Sequence, residues 1–127
     1  MLASLSVLIV DDNASMASAL ADVLDAKGYQ VYTANSGAAA LAILRDNPVH
    51  VLLTDVIMPD MNGVELYRAT RKTNPNLITL LMTAYAADDI IRQGMAEGIK
   101  TVLNKPVDIV VLLNLFSAYK RIITKAG

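Results

Sequence analysis

Val51-Leu52-Leu53-Thr54-Asp55 is a short apolar run that ends in an acid, and Val56-Ile57-Met58-Pro59-Asp60-Met61-Asn62-Gly63 follows it as a loop. The run is too short for a helix and has the character of a buried strand. The same event occurs earlier, where Val7-Leu8-Ile9-Val10 leads straight into Asp11-Asp12. In a parallel sheet the ends of neighbouring strands lie side by side, so these acids should converge. Three carboxylates at one spot repel each other and need a cation. Lys105-Pro106 ends a further apolar run.

Working outward, short apolar runs alternate with longer helical stretches. Leu5 to Val10 predicts a buried strand. Asn13 to Lys27 predicts a helix with Met16, Leu20, Val23 and Leu24 on one face and Gly28 as its stop. Gln30 to Ala34 is a more polar strand, expected at an edge. Ser36 to Arg45 is an Ala-rich helix broken by Asn47-Pro48. Strands follow over Val49 to Thr54, Leu77 to Met82 and Ile99 to Leu103. Helices are expected over Gly63 to Lys72, Ala87 to Glu97 and Val107 to Lys125. Five strands alternating with five helices predict a parallel sheet covered on both faces. In such sheets ligands bind at the carboxyl ends of the strands. Asp11, Asp12, Asp55, Thr83 and Lys105 all fall there.

Composition narrows the function. The chain has 127 residues, is 54% apolar and carries a net charge of -1. One packed domain over 1–127 is expected. Neither a nucleic-acid footprint nor a basic run for anionic lipid is present. The absence of cysteine excludes disulfides, thiolate nucleophiles and zinc-thiolate sites. No run reaches the length of a membrane span, and Met1-Leu2-Ala3-Ser4 lacks the positive start of a signal peptide. A cytoplasmic location is expected. There is no room for a DNA-binding domain, so the chain is expected to be a stand-alone module or one domain of a longer protein.

An Asp after a strand often only caps the next helix, and Thr83 has the same alternative. Capping does not explain why acids recur at two strand ends. A magnesium site does, because this hard cation takes carboxylate oxygens, keeps several waters and leaves room for phosphate. Lys105 is either a solvated surface lysine or a cation reaching Asp55 and a phosphoryl group on it. The Thr83 hydroxyl can donate to a phosphoryl oxygen. One carboxylate nucleophile, one cation site, one ammonium and one hydroxyl are the parts of a phosphoryl transfer, and carboxylates do accept phosphoryl groups.

Val10-Asp11-Asp12, Thr54 to Gly63, Met82-Thr83-Ala84 and Asn104-Lys105-Pro106 resemble, in order and spacing, the response regulator receiver domain of two-component signalling. The resemblance covers essentially the whole chain. It implies a flavodoxin-like, doubly wound sheet of order 2-1-3-4-5. It implies that Asp55 accepts phosphate from a sensor histidine kinase or phosphotransfer protein. Mg2+ would be bound directly by Asp12, by Asp11 mainly through water, by Asp55 and by the backbone carbonyl of Ile57. Lys105, before a cis Pro106, and Thr83 would contact the phosphoryl group, and Gly63 would suit the turn into the third helix. The protein would catalyse only its own phosphorylation and autodephosphorylation. Its output surface, for a homodimer or an effector, would be helix 4, strand 5 and helix 5.

The sequence departs from the family at Val102, where receivers often carry Tyr or Phe. An aliphatic side chain cannot swing a ring between buried and exposed positions, so Tyr85 is the substitute candidate in the switch beside Thr83. In the last helix Leu112, Phe116, Tyr119 and Ile123 form the core stripe. Val111, Leu115, Ala118 and Ile122 form a second stripe, expected either in the core or on a partner surface. A dehalogenase-type phosphohydrolase needs a second acid where Ile57 stands. A flavodoxin-like cofactor binder would set three acids against a phosphate, and no Gly-rich phosphate loop occurs. His50, the one histidine, lies at the wrong end of its strand for a Ser-His triad. The remaining alternative is a phosphate-independent pseudo-receiver that acts as an interaction module.

Overall fold

The computed structural model describes residues 5–84 and 87–126, with side chains in the last helix as far as 123. The described residues form β1 (Ser6–Val10), α1 (Ala14–Ala26), β2 (Gln30–Ala34), α2 (Gly37–Asp46), β3 (Val51–Asp55), α3 (Gly63–Arg71), β4 (Ile78–Thr83), α4 (Asp88–Ala96), β5 (Thr101–Asn104) and α5 (Ile109–Ala126). The sheet has the expected order β2-β1-β3-β4-β5, and every pairing is parallel. The more polar β2 is an edge strand, as its composition predicts.

Strand periodicity divides the core. Leu5, Val7 and Ile9, with Val51, Leu53, Leu80 and Met82, face α1 and α5, which supply Ala17, Leu24, Leu112 and Phe116. Leu8, Val10 and Leu52 point the other way, toward Ala40 and Leu44 of α2 and Leu66 of α3. Leu81 packs there with Val64 of α3 and with Ile99, against Ile90 and Ile91 of α4. Phe116 meets the edge of Tyr29 at 5.3 Å between ring centroids. Leu112 and Phe116 are fully buried, each worth roughly 1.5–3 kcal/mol of transfer free energy. Tyr119 and Ile123 pack against the same cluster, so the predicted core stripe of the last helix holds.

The α1 face needs correction. The buried line runs through Ala17 and Leu24, flanked by Leu20 and Ala21, whereas Met16 and Val23 are 43% and 38% exposed. Residues on a helix advance by about 100° each. Met16 and Val23 therefore lie well to one side of the line on which small Ala17 lets the helix approach the sheet.

Helix ends follow local chemistry. Asn13 accepts from the Met16 amide and caps α1. Asn62 and Glu65 form a reciprocal capping box at the start of α3. Asp108 accepts from the Val110 and Val111 amides, which starts α5 two residues later than expected. Gly28 and Gly98 have positive φ, and each closes a helix by paired bonds: Tyr29 N–H to Leu24 and Gly28 N–H to Asp25 after α1, Ile99 N–H to Gly94 and Gly98 N–H to Met95 after α4. Ile99 is thus spent on finishing α4, and β5 begins at Thr101 rather than Ile99. The same end of α4 is tied to α3: Glu97 pairs with Arg68 and Arg71, and the Tyr67 hydroxyl donates to the Glu97 carbonyl at 2.7 Å.

His50 sits just before β3, at the end of the sheet away from the acids, as expected. Its Nδ1 accepts from the Ser6 amide at 2.9 Å, its own N–H donates to the Ser6 carbonyl and its carbonyl accepts from Ile78. The imidazole thus serves a backbone amide of a buried strand residue. His50→Phe should cost about 1–3 kcal/mol by leaving that donor unpaired, and His50→Asn, which keeps an acceptor at similar reach, should cost less. Urea midpoints of the three proteins check this; equal midpoints contradict it.

Candidate functional site

The alternation that sorts the core also assembles the site. Val7 and Ile9 face α1 and α5, and two residues on stands Asp11. Val51 and Leu53 face the same way, followed by Asp55, and Leu103 by Lys105. The three polar groups therefore meet at the carboxyl edge of one sheet face. Lys105 Nζ lies 2.8 Å from Asp11 Oδ2 and 2.9 Å from Asp55 Oδ1. The lysine is mostly buried, and Asp11 and Asp55 are only 2% and 7% exposed. Lys105 is no solvated surface lysine; it is the cation that the strand-end acids require.

Asp11 is held from four directions. Its amide donates to Ala34, its carbonyl accepts from the Asn35 side chain, Oδ1 accepts from the Asn13 amide and Oδ2 from Lys105. Asp12 is exposed, and one carboxylate oxygen from each of Asp11, Asp12 and Asp55 lies within 4.8 Å of the others. These acids, Thr83, Lys105 and Ile57 line a cleft of about 340 Å³. The Lys105–Pro106 peptide is cis, as the resemblance implies.

The capping alternatives do not hold. The α1 cap is Asn13, not Asp11 or Asp12. The N-cap position of α4 is Ala87, with no side-chain bond, so Thr83 does not cap that helix. Thr83 ends β4 opposite Asn104, and its carbonyl accepts from the Lys105 amide at 2.8 Å. Val102 is half-buried against Val56, Val64, Leu81 and Ile99, on the α3–α4 face. Tyr85, the substitute switch candidate, lies outside the described residues.

Charge is shared unequally between the two buried acids. Burial pushes the Asp55 carboxyl up to about 6, with Asp11 adding to the rise and Lys105 opposing it. Burial also works against charge on Asp11, but Lys105 and the Asn13 amide hold it below the usual carboxylate range. Burial would weaken the Lys105 ammonium, and the two carboxylates more than offset this and raise its pKa. Asp11 is thus the firm anion, and Asp55 is the strained one. This donor set fits Mg2+, which takes one or two carboxylates and completes its shell with water; the exposed Asp12 leaves one side of the cluster open.

The loop between Asp55 and α3 is fastened along its length. The Val56 amide bonds the Met82 carbonyl, Gly63 N–H bonds the Val56 carbonyl, and Met58 is buried. A side chain at Gly63 would collide with the Asp55 carbonyl, which is why the helix that follows Asp55 starts on glycine. Asp60 has a contact that its sequence neighbours do not signal. Its carboxylate accepts from the Gly37 and Ala38 amides at 3.2 and 3.1 Å, at the start of α2. No local pattern announces that contact, because it joins residues from separate connections.

The family model of the response regulator receiver domain matches residues 7–117. The response regulator receiver protein Anae109_2439 of Anaeromyxobacter sp. (strain Fw109-5) is 41% identical over 108 residues, 85% of this chain and 45% of that protein. The sensor histidine kinase RcsC of Escherichia coli is 34% identical over 120 residues, 94% of this chain and 13% of the kinase. The chain therefore spans less than half the length of these curated relatives. Among solved structures, a CheY-like response regulator receiver domain protein from Methanospirillum hungatei JF-1 superimposes with a TM-score of 0.90 at 27% identity, over 98% of this chain and 99% of that one.

The raised Asp55 value has a definite sign. A carboxyl whose folded value of about 6 exceeds its ordinary 3.8 favours folding below the lower value, and that contribution is lost as pH rises through the higher one. Between those limits Asp55→Asn should gain on the wild type by about 1–2 kcal/mol, after allowance for partial screening by solvent. Denaturant titrations of both proteins in metal-free buffer at acid and neutral pH measure the gap; a pH-independent gap contradicts the assignment.

Proposed function

The chain belongs to the response regulator receiver family, and we propose that it works there as a phosphorylation-dependent switch with Asp55 as the phosphoryl acceptor. The observation that carries this reading is Lys105 spanning Asp11 and Asp55 in a cleft that Asp12 and Thr83 also line. The donor is a phosphohistidine on a sensor histidine kinase or phosphotransfer protein. An Asp55 oxygen attacks phosphorus, the P–N bond breaks and the electron pair returns to the donor imidazole. Asp12, Asp55, the Ile57 carbonyl and, through water, Asp11 would hold Mg2+, which when bound would supply positive charge to the phosphoryl oxygens.

The chain's own groups do the rest. Burial keeps the Asp55 carboxylate poorly solvated and so reactive. Lys105 is within reach of any group attached to Asp55 and neutralises charge on it. Thr83 donates its hydroxyl to a phosphoryl oxygen. The product adds about -1.5 to -2 charges at the end of β3. Its effect on Thr83 passes to the connection that begins α4, which carries no side-chain cap. Val102, without a ring, serves as packing between β5 and α4, and Thr83 with Tyr85 carries the switching role.

Residues 1–127 act as one cytoplasmic receiver domain. It performs no chemistry beyond its own phosphorylation and dephosphorylation and touches neither nucleic acid nor membrane directly. Among the described residues, no helix is long and apolar enough to cross a membrane. Output runs through α4, β5 and α5 to an effector or a second copy. Val111 is 44% and Ile122 61% exposed, and Leu115 is half-buried, so the second stripe of α5 is not consumed by the core.

Acetyl phosphate with Mg2+ should add one phosphoryl group, detected by intact mass, and beryllofluoride should shift amide resonances around Thr83. Asp55→Asn should abolish both responses, and Lys105→Ala should weaken them. A wild-type chain that gains no mass and shows no shift is instead a phosphate-independent pseudo-receiver.

A further inference from the structure

We infer that Asp60 is a positioning residue for the metal, acting from outside the acid cluster by fixing the loop that carries Ile57. The inference rests on the metal reading proposed above. An α-helix begins with backbone amides that have no partner within the helix. In α2 these are Gly37, Ala38 and Ala39. Ser36, the local cap, serves only Ala39, at 3.1 Å. The other two are served by Asp60, which stands 23 and 22 residues further along the chain. Each oxygen of the carboxylate takes one amide, so both parts of its fork are fixed. The two amides also hold the Asp60 carboxyl below the usual range, which keeps the clamp charged at neutral pH.

The clamp acts on the loop more than on the helix. Ile57 lines the acid cleft and is 47% exposed, so its own side chain gives little anchorage. On its Asp55 side the loop is bonded to β4 through Val56 and Met82. On its α3 side it is closed by Gly63 and by the Asn62–Glu65 box. Between them, Met58 is buried, and the Met61 side chain lies where a Cβ on Gly37 would stand. Asp60 supplies the polar, directional hold of this middle section, and that hold is on α2. Gly37 serves both contacts: its amide reaches Asp60, and its missing side chain admits Met61. Loss of the carboxylate frees the middle of the loop while Asp11, Asp12 and Asp55 stay in place.

The test is a calorimetric titration of MgCl2 into the full chain at neutral pH, for the wild type, Asp60→Ala, Asp60→Asn and Ser36→Ala. Asp60→Ala should weaken Mg2+ binding by about tenfold, the lower end of what residues behind a metal's ligands contribute. Asp60→Asn, which keeps one acceptor, should fall between it and the wild type. Ser36→Ala removes a cap from the same helix without touching the loop and should bind like the wild type. The inference is overturned if Asp60→Ala binds within twofold of the wild type. It is equally overturned if Ser36→Ala weakens binding as much, since disturbance of α2 alone would then be the cause. A wild type that binds no Mg2+ removes the metal reading itself, an outcome distinct from both.

Discussion

One ammonium group between two buried carboxylates is the constraint on which this molecule turns. Lys105 reaches Asp11 at 2.8 Å and Asp55 at 2.9 Å across the ends of three strands. Buried acids so close together cannot both remain charged without compensation. Lys105 supplies it, but not evenly. Asp11 also has the Asn13 amide and stays firmly ionised, while Asp55 depends on a shared lysine and is pushed up to about 6. The residue proposed to react is the one whose charge is least well served.

The arrangement depends on the sheet more than on the loops. A one-residue slip in β1, β3 or β5 would turn Asp11, Asp55 or Lys105 to the opposite face. Continuous burial on both faces resists such a slip, because Val7 and Ile9 fill one core while Leu8 and Val10 fill the other. Gly63 adds a local restraint, since α3 approaches the Asp55 backbone more closely than a side chain allows.

Much of this was legible in the sequence. Parallel strands leave continuous apolar runs, and Asp55 was visible because it ends one. Asp11, Asp12, Thr83 and Lys105 were visible for the same reason, and the structure brings them to one cleft. The legible part is the part written in short-range order. Met16 and Val23 misled because Ala17 carries little hydrophobic signal, although its small size decides how close α1 lies. Ile99 looked like strand because nothing apolar distinguishes a residue that pairs from one that closes a helix through Gly98. The contacts of Asp60 with α2 and of His50 with Ser6 join segments remote in sequence, and no periodicity encodes either.

The two ends of α4 are held very differently. The last turn is closed by Gly98 and Ile99, and Glu97 is gripped by Arg68, Arg71 and Tyr67 of α3. The first turn begins at an uncapped Ala87 and carries Asp88 and Asp89. Among the described residues, the polar restraints therefore gather at the C-terminal end of α4 and are few at its N-terminal end. Mechanically, α4 is a cantilever: its root is clamped to α3 by ion pairs, and its other end is held by the apolar contacts of Ile90 and Ile91, with no side-chain cap. On the switch proposed above, a small push at the other end would tilt the rod about its root.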